Sequence, residues 1–221
     1  MKKLTLVALI GAATCLTSFG QGYFTYTASG SVGAYDNFTT PGTPVKSPAN
    51  VITALLWSTD LAAVPIFGST PSSSTTSMTG LTLAKVLSDS NYTLALNTDG
   101  ITPWQATTTT ASGPTKGSYT GNGGANTPIY DTSSAETIEM YVIAWASSDG
   151  LTFQAAEENA GTSFGWSNPF ELGPLQNSGT PGPSLTSAGV EAIYVNQVPE
   201  PGTFALAGLG AAALLIFRRR K

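Results

Sequence analysis

The ten residues from Thr137 to Ala146 constrain the fold more than any other part of the chain. Ile138, Met140, Val142 and Ala144 are apolar, and so are Tyr141, Ile143 and Trp145 between them. Successive side chains of an extended strand point to opposite faces, so both faces of this strand need an apolar cover. The segment is predicted to be a central strand buried on both sides. The composition can supply that cover: of 221 residues, 41% are hydrophobic and 10% aromatic, enough for one packed domain of ordinary size. Glycine and proline together number 38, below the share of about a quarter that marks low complexity throughout.

Other short segments rich in β-branched and aromatic residues read as strands: Tyr23 to Ala28, Val51 to Trp57, Leu81 to Leu87, Tyr92 to Leu96 and Val190 to Val195. Glycine, proline, asparagine and serine clusters separate them, and no amphipathic helices intervene. Thr152 to Ala160 is the one expected helix, with Phe153, Ala156 and Ala160 at helical spacing. The fold class this implies is all-β, a β-sandwich with one short helix. Ser69 to Gly80 and Thr107 to Thr127 read as loops, because their Ser, Thr and Gly content cannot bury a core. Asn37-Phe38-Thr39 and Asn91-Tyr92-Thr93 match the N-glycosylation sequon.

The two ends have a different character. Lys2-Lys3, the apolar run Leu4 to Ala13 and the more polar stretch to Gly20 have the layout of a secretory signal peptide. Residues 1–20 are therefore expected to form a signal helix removed by signal peptidase after Gly20. The only cysteine, Cys15, follows Ala12-Ala13-Thr14 and superficially suggests a lipoprotein site. Thr14 is bulkier than the residue such sites carry, so Cys15 reads as buried inside a discarded peptide. Without it the mature chain has no thiol, and its stability rests on core packing. At the other end, Val198-Pro199-Glu200-Pro201-Gly202 precedes the apolar stretch Thr203 to Phe217, and Arg218-Arg219-Arg220-Lys221 closes the chain. Those 15 apolar residues would span about 22 Å as a helix, short of the roughly 30 Å hydrocarbon core. The four cations remain on the cytoplasmic side, and their long stems extend the span. A C-terminal transmembrane helix is expected, since a buried helix would leave four adjacent cations at a core edge.

This tripartite tail resembles the PEP-CTERM sorting signal in its Pro199-Glu200-Pro201 motif, its short membrane stretch and its basic cluster Arg218, Arg219, Arg220 and Lys221. The resemblance divides the chain into a signal peptide (1–20), a passenger (21–197) and a sorting tail (198–221). It implies recognition by an exosortase, a membrane-embedded enzyme of Gram-negative bacteria. It also implies transient anchoring in the inner membrane, removal of the tail, and delivery to the cell surface or the extracellular polysaccharide matrix. Tyr141 to Ala146, Phe153 to Gly161 and Gly165-Trp166-Ser167-Asn168-Pro169-Phe170 look like parts of uncharacterised exported passengers that accompany this tail. That likeness supports the β-sandwich and implies no activity.

Charge and residue chemistry narrow the function classes further. Between Gln21 and Gln197 lie three lysines and twelve acidic residues, a balance of −9. Such a surface repels nucleic acid and anionic lipid, and it repels acidic polysaccharide unless cations bridge the two. The chain contains no histidine, which removes Ser-His and Cys-His nucleophile pairs and the commonest metal ligand. Gly161-Thr162-Ser163-Phe164-Gly165 has the spacing of a hydrolase nucleophile elbow but lacks its base, so it reads as a Gly-rich turn. Gly208 to Ala213 has dinucleotide-loop spacing but lies inside the apolar tail, where it reads as a packing feature.

Paired carboxylates for glycoside chemistry could be drawn from Glu136, Glu139, Asp149, Glu157, Glu158, Glu171 and Glu191. Adjacent Glu157 and Glu158 do not face each other on a helix. Asp131-Thr132-Ser133 only faintly echoes an aspartic-protease motif, and the acidic or Asn-rich turns at Asp99-Gly100 and Asn122 to Asn126 lack regular calcium spacing. No catalytic residue, metal site or cofactor is expected. Trp57, Trp145 and Trp166 read as core residues, whereas Trp104 in a loop context is expected to be exposed and able to stack on a sugar. The expected function is that of an exported, non-enzymatic surface or matrix protein. The alternatives are a carbohydrate-binding matrix module with polysaccharide as its partner, or a plain C-terminally anchored membrane protein.

Overall fold

The computed structural model describes residues 21–29, 32–46, 50–108, 116–121, 127–158 and 163–198. The expected signal helix and the expected C-terminal helix lie outside the described residues. Among those described, no helix is long and apolar enough to cross a membrane. In chain order the strands are β1 (Gly22–Phe24), β2 (Thr27–Ala28), β3 (Ala34–Asp36), β4 (Val45–Lys46), β5 (Val51–Ser58), β6 (Thr93–Leu94) and β7 (Gln105–Thr107). There follow β8 (Tyr119–Thr120), β9 (Thr127–Ile129), β10 (Ile138–Ala146), β11 (Ser163–Trp166), β12 (Phe170–Leu172) and β13 (Ile193–Gln197). One 3₁₀ turn (Leu83–Ser88) and one short helix, α1 (Phe153–Glu158), complete the described elements. The described residues of the passenger are mostly β with one short helix, consistent with the all-β class that the strand-rich pattern predicts.

The two longest strands occupy the middle. β5 and β10 pair antiparallel from Glu139↔Ser58 to Ala146↔Val51, and every residue of both is buried. Around them a nine-stranded sheet runs β4-β3-β13-β11-β10-β5-β6, with β12 also on β10 and β7 also on β5. Its strand pairs are antiparallel except for β13 with β3. On one face Leu55, Trp57, Met140 and Val142 pack with Phe24, Tyr26, Tyr119 and Ile129, which come from the two-stranded ladders β1–β9 and β2–β8 and the turn between β1 and β2. On the other face Ile52, Leu56, Tyr141, Ile143 and Trp145 pack with Leu83, Val86, Phe153 and Phe164. The sandwich expectation is thereby refined. One large sheet carries a core on each face, and short ladders cover one side while a helix, a 3₁₀ turn and loops cover the other.

Local departures from the expected strands have local causes. Leu81 to Leu87 is not a strand, because its buried residues Leu83 and Val86 fall three apart, the 3₁₀ period, while Thr82, Ala84 and Lys85 are exposed. Tyr23 to Ala28 breaks in two at a tight turn, Thr27 N–H to Thr25 O at 2.9 Å. That break lets the Tyr26 hydroxyl reach Thr53 of the central strand, 3.0 Å from its Oγ1. Val190 to Val195 shifts to Ile193–Gln197. The helix forms inside its expected span, with Ala155 N–H donating to the Thr152 hydroxyl at its start (3.2 Å) and Phe153 and Ala156 buried.

Candidate functional site

The last strand of the passenger leads directly into the tail, so its local construction decides how the tail leaves the fold. β13 is an inner strand. Parallel pairing sets Ile193, Tyr194 and Val195 against Ala34, Tyr35 and Asp36 of β3, while Asn196 and Gln197 pair antiparallel with Phe164 and Ser163 of β11. Ile193 and Val195 are fully buried in the first core. Tyr194 and Tyr35 point to the opposite face, half-buried, and stack with ring centroids 4.8 Å apart. Residue by residue, the strand alternates between the two faces of the sheet.

Between Tyr194 and Trp166 the ladder forks, and Ser72 fills the fork. Its hydroxyl accepts from Trp166 N–H (3.0 Å) and Tyr194 N–H (3.2 Å), and its own N–H donates to Trp166 O (2.9 Å). Gly165 is required beside it, since a Cβ there would lie 2.1 Å from Tyr194 O and 2.7 Å from Ser72 Oγ. One step further along, two asparagines clasp the strand end. Asn37 Nδ2 donates to Asn196 Oδ1 (2.6 Å) and to Ser74 O (3.1 Å), while Asn196 Nδ2 donates to Ser73 O (3.0 Å). Both are buried, so these bonds satisfy amides that would otherwise be costly to desolvate.

Neighbouring Asp36 holds the loop that positions Asn37. Its carboxylate accepts from Phe38 N–H (3.1 Å), Thr39 N–H (2.9 Å), the Thr39 hydroxyl (2.7 Å) and Asn50 Nδ2 (2.7 Å). Burial by itself would raise this carboxyl, but the hydrogen bonds from Thr39, Asn50 and Phe38 outweigh it and hold it below the ordinary carboxylate range. Past the clasp Gln197 is exposed, and Val198 packs partly buried against the second core. Among the described residues, Val198 is thus the part of the expected sorting motif that packs on the folded passenger. Pro199, Glu200, Pro201 and the basic residues Arg218 to Lys221 lie outside the described residues.

Other sequence candidates take structural roles or separate. Trp104 corrects its expectation of exposure: only 8% exposed, it belongs to the first core, and its indole N–H donates to Pro128 O. A backbone bond from Trp104 N–H to Ala95 O (2.9 Å) draws the loop onto the sheet, so the ring face is covered rather than offered to a sugar. Trp57, Trp145 and Trp166 are buried, as predicted. Ser163 begins β11 and is buried, and its N–H donates to Asp149 (2.8 Å), so the Ser163–Gly165 part of the elbow-like motif is strand rather than turn. Asn37 of the first sequon is buried with its amide engaged.

Thr132 locks a turn through Ile129 O (2.8 Å) and Gly22 N–H (3.2 Å). Asp99 accepts three bonds from its own turn, from Ile101 N–H and from the N–H and hydroxyl of Thr102. Those Thr102 bonds, the hydroxyl one first, hold its carboxyl low. Of the carboxylates, Glu139 and Glu171 stand opposite each other on β10 and β12, one buried and one exposed. Among the described residues, no group of three or more His, Cys, Asp and Glu is placed to hold a metal ion.

Sequence reasoning missed Asn37, Ser72 and Asn196. The available signal was Asn196 itself, a polar residue of low β-propensity two places before Val198, following the apolar Val195 in a strand. A family model for the PEP-CTERM protein-sorting motif matches residues 197–221. No curated protein and no solved structure matches the chain. The motif implies an exosortase as processing partner and export towards the cell surface, and its first matched residue is the last residue of β13. The chain carries a PEP-CTERM protein-sorting motif over residues 197–221, and the match begins on the last residue of β13.

Proposed function

We propose that this chain is an exported, non-enzymatic protein of the cell surface or extracellular matrix of a Gram-negative bacterium. Its signal peptide is removed after Gly20. The apolar tail then holds the passenger transiently in the inner membrane, with Arg218 to Lys221 on the cytoplasmic side. The observation that carries this reading is the sorting motif at residues 197–221. Pro199 and Pro201 support it, because paired prolines keep the segment extended and free of helix, a form that an enzyme cleft can take up.

The non-enzymatic part rests on the absence of histidine, and it is supported by Asp149 and Glu136, whose carboxylates accept from the Ser163 and Ser133 backbone N–H groups. The carbohydrate alternative loses the exposed indole on which it stood, since Trp104 is in the core. Replacing Pro199, Glu200 and Pro201 together by alanine is expected to leave the chain full length in the membrane fraction, as read by intact mass of the protein from its host. Unchanged maturation would sink the sorting reading, and a parent chain that itself still ends at Lys221 in the inner membrane would mean a plain anchor.

A further inference from the structure

The boundary between passenger and tail is a structural one. Strand β13 is hydrogen-bonded on both sides, forked around Ser72 and clasped by Asn37 and Asn196. Val198 adds a contact with the second core. Pro199 is the next residue. In sequence, Pro199 is only two residues past Gln197, the partner of Ser163 in the last ladder pair. A processing enzyme must reach the bond it breaks, and any bond upstream of Val198 would require β13 to be stripped from the middle of the sheet.

From this geometry we infer that the folded passenger sets the upstream limit of tail removal: the bond broken lies after Val198, and Asn37 and Asn196 are the positioning pair that enforces this limit. The inference rests on the sorting reading for the identity of the enzyme but not for the position of the limit. In the cut, the carbonyl carbon on the passenger side passes to water or to an acceptor amine, and the amine on the far side leaves with the tail. The mature protein therefore keeps the whole of β13 and Val198. A trimming that ran further would remove a strand on which both β3 and β11 pair, and with it Ile193 and Val195 from the first core.

The test uses the full-length chain purified in detergent and exposed to a broad-specificity protease, with the C-terminus read by intact mass. For the parent chain, trimming is expected to stop at Val198 or beyond. In Asn196→Ala, trimming past Val198 is expected to run about tenfold faster, because local opening of the strand end becomes easier. Parent chains trimmed upstream of Gln197 while their tryptophan fluorescence stays native would overturn the inference, as would an Asn196→Ala chain trimmed no faster than the parent. If that variant does not fold, hydrogen exchange of the parent decides. Amides of residues 193–197 that exchange only with global unfolding support the limit, and amides that exchange at the rate of a frayed end refute it. Processing in the host separates the two readings: a product ending before Val198 refutes this inference alone, whereas a chain still ending at Lys221 refutes the sorting reading and leaves the protease and exchange results to decide the limit.

Discussion

Glu139 lies on the central strand β10 and is only 7% exposed, an expensive place for a carboxylate. Burial raises its carboxyl above the ordinary value of 4.5. The hydrogen bond from the Tyr92 hydroxyl (3.3 Å) works against that rise, and the charges of Glu171 and Asp60 add to it. The folded state therefore holds this proton more tightly than the unfolded chain, and the sign follows from linkage. Stability is greatest below about pH 4.5 as far as this group is concerned, is lost as pH rises through the raised value, and is level above it. Glu139→Gln is expected to melt higher than the parent at pH 7, with the gap closing below about pH 4.5. Thermal melts across that range check it, and a constant gap would mean that the carboxylate is not the cause. Asp36 runs the other way: its lowered carboxyl contributes stability above the unfolded value of 3.8 that is lost as pH falls through the folded one. Neither direction is legible in the sequence, because each depends on which groups the fold brings to the carboxyl.

Among the strands, β5 and β10 were the most legible, because runs of eight and nine residues that are apolar on both faces at nearly every position leave the chain no half-solvated alternative. The strands of two or three residues were mostly invisible. Two residues carry no period, and β4 (Val45–Lys46) or β8 (Tyr119–Thr120) exists only because a partner strand is already in place. Leu83–Ser88 shows the opposite error, in which apolar residues suited to a strand are recruited at threefold spacing to cap the second core. At the β11–β13 fork the packing is tight enough to predict. Gly165→Ala puts a Cβ 2.1 Å from the Tyr194 carbonyl oxygen, a backbone atom that cannot move without displacing β13. The expected cost is about 3 kcal/mol, read from the denaturant midpoint; an unchanged midpoint would mean that β13 slides freely.

The two cores share one sheet, and this decides how the molecule as a whole comes apart. Leu55 faces the first core and Ile143 the second, both fully buried, and they lie on β5 and β10, which pair along eight registers. Leu55→Ala and Ile143→Ala are each expected to cost about 2–5 kcal/mol and to move the same single unfolding transition. Two separate transitions in either variant would mean that the faces unfold independently. By itself the sequence determined the all-β class, the doubly buried strand, the short helix and the sorting tail, because each is written in local order: apolar runs, helical spacing, and a motif whose parts are contiguous. Only the tertiary structure decided that Trp104 is core, that Ser72 fills a fork 94 residues away at Trp166, and that Asn37 clasps Asn196 across a separation of 159 residues. Those are pairings between distant segments, and no periodicity within either segment encodes which partner will be standing opposite when the sheet closes.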